Sequence, residues 1–423
     1  MDLSWDVPMP NLSSKRPASN LSSKRPASNG PAVSKVLPQA KRKRPAASGM
    51  LTTRARPAAS GVLPSPQCNP SDASGMVPSA ILPLPTELRV GSMCSGMLSE
   101  HWSLKNLENH RALHVWAAEM ESYARNFIVH NVDYFVKIYN DVTSKEFHQG
   151  VTRHDILVAG FPCQGLSSAG LHRGAADPRT QVYKQVLAVA KKFAPRIVVM
   201  ENVKGLLESH FDVFMDIVNT LNSMKTTTGK QFKVFSKVLD SQDHGVPHRR
   251  KRVYIVAIAL CGRNPSDIRL RWPTPEANPG LQNIWDANAI PLASYKRYPL
   301  PNSTTARKRV KSMLALIADW AREEGKEPTS YDVIVDSGSS SLSYGLDCSP
   351  CLTKSRTACR DYWSMRHARK LSISELARLQ GHDLSSLKVT CTESQLGSML
   401  GNGFSVPVMR KVLKAAIDAA EGR

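Results

Sequence analysis

The chain has 423 residues, 41% of them apolar, and a formal net charge of +21. That length allows two or three domains with a sizeable core. No apolar run reaches the roughly 20 residues of a membrane span, and no amino-terminal signal peptide is expected.

Eight scattered cysteines lack a disulfide-framework spacing and suit a reducing compartment. Cys348 and Cys351 form a single pair with no second pair nearby, so no metal site is expected.

Residues 1–80 are low-complexity. Asn11–Ser19 repeats directly as Asn20–Ser28, and Arg44–Gly49 recurs as Arg56–Gly61. Pro, Ser, Ala and Lys dominate this segment. It cannot bury enough surface to offset its ordering entropy, and it reads as disordered. The tail holds 11 Lys and Arg against 3 Asp, which leaves +13 of the charge on the rest of the chain. A basic surface favours a polyanion such as nucleic acid. Lys41-Arg42-Lys43-Arg44-Pro45 resembles a nuclear localisation signal, nonspecific phosphate contact being the alternative.

From Leu88 a strand runs into the small-residue loop Gly91-Ser92-Met93-Cys94-Ser95-Gly96, where backbone can approach a ligand closely. The next strand, His114–Ala118, ends at Glu119. An acidic residue there accepts the hydroxyls of a nucleoside ribose, or else is an exposed Glu at a helix start. The apolar run Ile156–Ala159 reads as a buried strand stopped by Gly160-Phe161-Pro162. Cys163 follows, at the strand end where open α/β sheets place their ligand crevice. Alone it is more simply a small buried hydrophobe. Residues 164–176, rich in Gly and Ser, suit a mobile loop that could close over a bound ligand. A second buried run, Arg196–Met200, leads into Glu201-Asn202-Val203. Arg250 and Arg252 precede the strand Val253–Ala259 and, being alternate residues, share a side. Thr305–Gly325 reads as an amphipathic helix with Val310, Met313, Leu314, Ile317 and Trp320 on one face. Its Arg307, Lys308, Arg309 and Lys311 either meet phosphates or form a solvated helix start. Arg369–His382 reads as structural, and Gly401–Pro407 as the opening of the last helix.

Four of these pieces, Gly160-Phe161-Pro162-Cys163-Gln164, Glu201-Asn202-Val203, Arg250-Lys251-Arg252 and Gly401-Asn402, occur in an order that resembles the cytosine-5 DNA methyltransferases, which use S-adenosylmethionine (SAM). The resemblance covers roughly 88–259 and 345–420. It implies an α/β fold: a Rossmann-like class I SAM-dependent methyltransferase domain with a small target-recognition lobe. It implies Cys163 as the nucleophile that adds to C6 of cytosine, Glu201 as the carboxyl at N3, Arg252 as the charge that favours the thiolate, Arg250 beside it, and Asn202 as the residue that orients the loop. Ser92, Met93, Cys94, Ser95, Gly96, Glu119, Asp141, Val142, Pro162, Val182 and Asn402 would bind SAM. Asp141 is the residue that would meet the adenine amino group, with a turn Asp as its plainer reading. Asn402 is otherwise a helix cap.

The chain departs from the family pattern in places. The first loop lacks an acidic residue and a glycine, His248 stands where a Gln is usual, and Thr180 replaces a Gly in Asp177–Val182. The expected organisation is a tail (1–80), a SAM-binding and catalytic domain (86–260), a recognition lobe (261–345) and a return segment with the last helix (346–423). The expected function is cytosine-5 methylation of DNA in a nucleus, with the base flipped from the duplex. Methylation of tRNA and a nucleic-acid-binding regulator without turnover are the alternatives.

Overall fold

A computed structural model describes residues 83–105, 107–134, 136–162, 182–226, 229 and 231–423. The basic tail, Cys163 and the segment 164–181 lie outside the described residues, and with them the Asp177, Arg179 and Thr180 positions.

Seven strands form one sheet: β1 (Glu87–Met93), β2 (Arg111–Ala118), β3 (Lys137–Tyr139), β4 (Ile156–Ala159), β5 (Ile197–Val203), β6 (Phe232–Asp240) and β7 (Lys251–Ala259). Their order is β3-β2-β1-β4-β5-β7-β6. The first five run parallel, and β7 is antiparallel to both its neighbours. The sheet is covered on both faces, which is why its central strands are apolar without a polar alternation. Period-2 geometry divides them cleanly. Ile156, Val158, Ile197, Val199, Tyr254, Val256 and Ile258 enter one core cluster. Leu157, Ala159, Val198, Met200, Val253, Ile255 and Ala257 enter the other. The first cluster is closed by the last helix, α11 (Val406–Glu421), through Val408, Met409, Val412, Leu413 and Ala416. The second is closed by α4 (Val182–Phe193) and α6 (Phe211–Ser223).

Register then fixes one edge. Met93 pairs with Ala159, Ala159 with Met200, Glu201 with Tyr254 and Val203 with Arg252. The carboxyl ends of β1, β4 and β5 therefore meet the start of β7 at a common level. Glu201 lies inside β5 and Arg252 inside β7, each a residue or more within the strand rather than beyond it.

A second sheet, order β11-β10-β8-β9, joins β8 (Val333–Asp336), β9 (Tyr344–Leu346), β10 (Tyr362–Ser364) and β11 (Arg369–Lys370). The amphipathic helix is α7 (Thr304–Glu324), and its Val310, Met313 and Ile317 pack on Val333, Val335, Trp363 and Met365. Leu314 and Trp320 of the same face are partly buried in that cluster. Two strands of this sheet come from beyond residue 345. Of the basic residues on α7, Arg307 and Arg309 donate to the carbonyls of Pro301, Ser339 and Ser340, so they brace the lobe itself.

Two short helices of the return segment, α8 (Lys354–Ala358) and α10 (Glu393–Asn402), pack backbone to backbone. Glycine makes this possible: a Cβ on Gly397 would lie 2.4 Å from the Thr357 carbonyl oxygen, and one on Gly401 would lie 2.5 Å from Thr353 backbone. Gly401 and Asn402 end α10 rather than open the last helix, which Ser405 and Pro407 begin. The Arg369–His382 stretch holds α9 (Ile373–Arg378), whose Ser372/Glu375 capping box also pairs the buried Glu375 with Arg369.

Gly397→Ala is expected to destabilise the protein by about 1–3 kcal/mol, the usual cost of overpacking. Thermal denaturation checks this, and an unchanged midpoint would show that the α8–α10 contact is looser than described.

Candidate active site

The shared strand edge opens into a cavity of about 460 Å³, within the ordinary range for small-molecule sites. The first loop supplies Cys94, Ser95 and Gly96 to its wall. Cys94, Gly96 and Leu98 all have positive φ, at 57°, 53° and 59°. For Cys94 and Leu98 this is strained backbone of the kind found where a loop must wrap a ligand. Ser95 N–H donates to the Ala118 carbonyl at 3.1 Å, tying the loop to the end of β2.

Glu119 follows β2. Its Oε2 accepts from Gly96 N–H at 2.7 Å and its Oε1 from Glu121 N–H at 2.9 Å. Each oxygen keeps a lone pair, so a fixed carboxylate faces the cavity and can accept hydroxyls. Asp141 lies two residues past β3. Thr143 N–H and its hydroxyl both donate to Oδ1 at 2.8 Å, and Oδ2 makes no hydrogen bond among the described residues. Val142 and Val182 add apolar wall. Burial and the Glu119 carboxylate push the Cys94 thiol up to about 12, so it is no thiolate at neutral pH.

At the end of β4, Gly160, Phe161 and Pro162 line the cavity. Gly160 is required there, because a Cβ would lie 2.8 Å from the Phe404 ring. Asn202 donates from Nδ2 to the Phe161 carbonyl at 3.0 Å and accepts Val203 N–H at 2.8 Å. It thus pins the backbone that leads to Cys163.

Glu201 is 7% exposed, and its Oε1 lies 3.3 Å from Nε of Arg252. Burial raises the Glu201 carboxyl above its ordinary range, with Arg252 and Arg250 pulling the other way. The remainder of the Arg252 guanidinium donates to the Lys251 carbonyl at 2.9 Å and sits 3.9 Å from Cys351 Sγ. Arg250 does a different job. It is buried and donates to the carbonyls of Leu352 at 2.9 Å, Gly401 at 3.2 Å and Gly403 at 2.8 Å. Its guanidinium touches the cavity, and both terminal nitrogens hold the return segment. His248, also buried, accepts Leu352 N–H on Nε2 at 2.9 Å. Burial and the two arginines hold its imidazole well below the ordinary range, hence neutral.

Thirteen of the sixteen residues expected from the sequence line this cavity: Cys94, Ser95, Gly96, Glu119, Asp141, Val142, Pro162, Val182, Glu201, Asn202, Arg250, Arg252 and Asn402. Cys163 lies outside the described residues. Ser92 and Met93 are elsewhere. β1 runs through Met93, so both are ladder residues, paired with Val158 and Ala159. Ser92 donates to the buried Glu100, and Met93 packs with Trp116 in the core. Glu121, Tyr123, Lys354 and Met399 line the cavity without having carried a sequence signal.

The donor set suits SAM. Two carboxylates at successive strand ends face apolar walls, and a buried carboxyl with two arginines lies beside them. The C-5 cytosine-specific DNA methylase profile matches residues 88–418. The chain belongs to that family, whose members move a methyl group from SAM to C5 of cytosine in DNA. It is 27% identical to the type II methyltransferase M.HaeII of Haemophilus aegyptius, over 72% of this chain and 86% of that protein. It is 26% identical to M.NgoBI of Neisseria gonorrhoeae, over 73% and 87%. Among solved structures, a Spodoptera frugiperda DNMT2 variant matches with a TM-score of 0.52 at 17% identity, covering 78% of this chain and 99% of that one. The Entamoeba histolytica methyltransferase EhMeth gives 0.53 at 16%, covering 79% and 99%. At these identities the two structures speak for the fold.

Arg250→Lys and Arg252→Lys are expected to separate. The first leaves buried carbonyls without donors and should cost about 3 kcal/mol of stability or more. The second should fold normally and lose methylation. Denaturation midpoints with initial rates for both variants check this; equal midpoints would contradict the division of labour.

Proposed function

We propose that Cys163, Glu201, Asn202 and Arg252 carry methyl transfer in this chain. The supporting observation is the buried Glu201–Arg252 pair, at 3.3 Å, beside the Asn202 bond to Phe161, two residues before the cysteine. Cytosine C5 is too weak a nucleophile to take a methyl group unaided. The Cys163 thiolate adds to C6, forming an S–C6 bond and pushing the ring electrons toward N3. Glu201 holds the proton there; burial, which raises its carboxyl, favours the protonated form. The ring is now an enamine, nucleophilic at C5. Bound SAM supplies an electrophilic methyl group. After transfer the C5 proton is lost, the S–C6 bond breaks and the thiolate returns. The cytosine reaches the cysteine only if turned out of the duplex. Glu119 and Asp141 would hold the ribose and adenine of SAM, between Val142 and Val182.

DNA containing 5-fluorocytosine has no C5 proton to lose, so the S–C6 bond should persist. With SAM, the full chain should give a denaturation-resistant adduct on such DNA, absent in Cys163→Ala. Glu201→Gln should slow methylation of ordinary DNA by roughly 10²–10⁴-fold. An adduct on substituted tRNA and none on DNA would move the substrate to RNA. No adduct on either would overturn the proposal.

Nuclear localisation rests on the Lys41–Pro45 run alone, and M.HaeII and M.NgoBI come from bacteria. A tagged full chain should enter the nucleus and stay out when Lys41–Arg44 are changed to alanine; cytoplasmic staining of both would sink the idea.

A further inference from the structure

The structure assigns to Lys354 the role of binding the carboxylate at the amino-acid end of SAM. Lys354 opens α8 and lines the cavity. Its Nζ lies 3.3 Å from Oε1 of Glu121, another lining residue from a segment 233 positions away. The two side chains are 39% and 48% exposed, so this pair stands in solvent at the cavity wall. Exposed pairs contribute little, so Glu121 is easily exchanged for another carboxylate.

The charge inventory of the wall points to the lysine. Among the described residues its carboxylates are Glu119, Glu121, Asp141 and Glu201, and its cations are Arg250, Arg252 and Lys354. Ribose hydroxyls and the adenine amino group need acceptors, which the acids provide. The carboxylate of SAM needs donors, and burying it without a counter-charge is costly. Arg250 is buried and already holds the carbonyls of Leu352, Gly401 and Gly403 through both terminal nitrogens, so it is fixed in the seam. Arg252 is paired with Glu201 at the reacting end. In the first loop, Ser95 N–H and Gly96 N–H already donate to Ala118 and Glu119. Among the described residues, Lys354 is the cation whose present partner is exposed and can be replaced. Its backbone is held in place: a Cβ on Gly401 would lie 2.6 Å from Lys354 N, and Thr353 N–H donates to the Tyr362 hydroxyl at 3.1 Å. Only the flexible side chain has to turn.

This inference rests on SAM occupying the cavity, and the test separates the two. Calorimetry on the full chain compares S-adenosylhomocysteine, which has the amino-acid end, with 5′-methylthioadenosine, which lacks it. The wild type should bind both. Lys354→Gln should bind S-adenosylhomocysteine about fivefold more weakly, the upper end expected for an exposed charge pair. Its affinity for 5′-methylthioadenosine should stay within about twofold of the wild type, and Lys354→Arg should recover most of the difference. An equal loss for both ligands, or no loss for either, would overturn the assignment while leaving the cofactor site in place. A wild type that binds neither would overturn the site and the assignment together.

Discussion

The Arg250 guanidinium, buried and donating to three backbone carbonyls, is the contact on which the cavity depends. Its neighbours extend the seam. Ser349 N–H donates to the Pro247 carbonyl at 2.6 Å, Arg249 N–H to the Ser349 carbonyl at 2.9 Å, and Leu352 N–H to His248 Nε2 at 2.9 Å. Residues 247–250, just before β7, are thereby stitched to 349–352. The same arginine reaches Gly401 and Gly403, so the end of α10 is fixed at the level where β1, β4 and β5 finish. A segment about 150 positions away thus supplies one wall of a site whose other walls belong to the sheet. An isolated arginine in an apolar interior would be prohibitive. Here the charge is met by carbonyl dipoles, and removing it would strand several acceptors at once.

The second arginine of the same run sits under a different constraint. Arg252 and Glu201 form a nearly buried pair, which is weak support for stability because desolvation opposes the attraction. Its consequence is chemical. Burial disfavours the Glu201 carboxylate and the arginines favour it, leaving a carboxyl raised from its usual range at the cavity wall. Two residues apart in sequence, Arg250 holds the return segment and Arg252 pairs with the buried Glu201.

Much of this was legible in the sequence because the central strands β4 and β5 are apolar runs with sharp ends. Ile156–Ala159 is a strand with the bounds its residues suggested, and Glu119 could be found because it ends an apolar run, whereas Asp141 was legible only through the family resemblance, β3 before it being three residues long. The failures have physical causes. Ser92 and Met93 resemble loop residues, but the ladder with β4 continues through them and turns them into core. Arg250 and Arg252 share a side as alternation requires, yet alternation says nothing of which carbonyls a guanidinium will find. β10 and β11 are three and two residues long, too short for any periodicity. Lys354 belongs to no local pattern; only the α8–α10 contact, made close by Gly397 and Gly401, carries it to the cavity.

The central claim is that the return segment and the sheet edge form one cofactor site. Amide hydrogen exchange of the full chain with and without S-adenosylhomocysteine tests it most directly. The expected result is slowed exchange in three separate stretches together: the first loop at 94–98, the start of α2 (Ser122–Asn131) with its preceding residues, and 398–404. Protection confined to the first two, with 398–404 unchanged, would contradict the account.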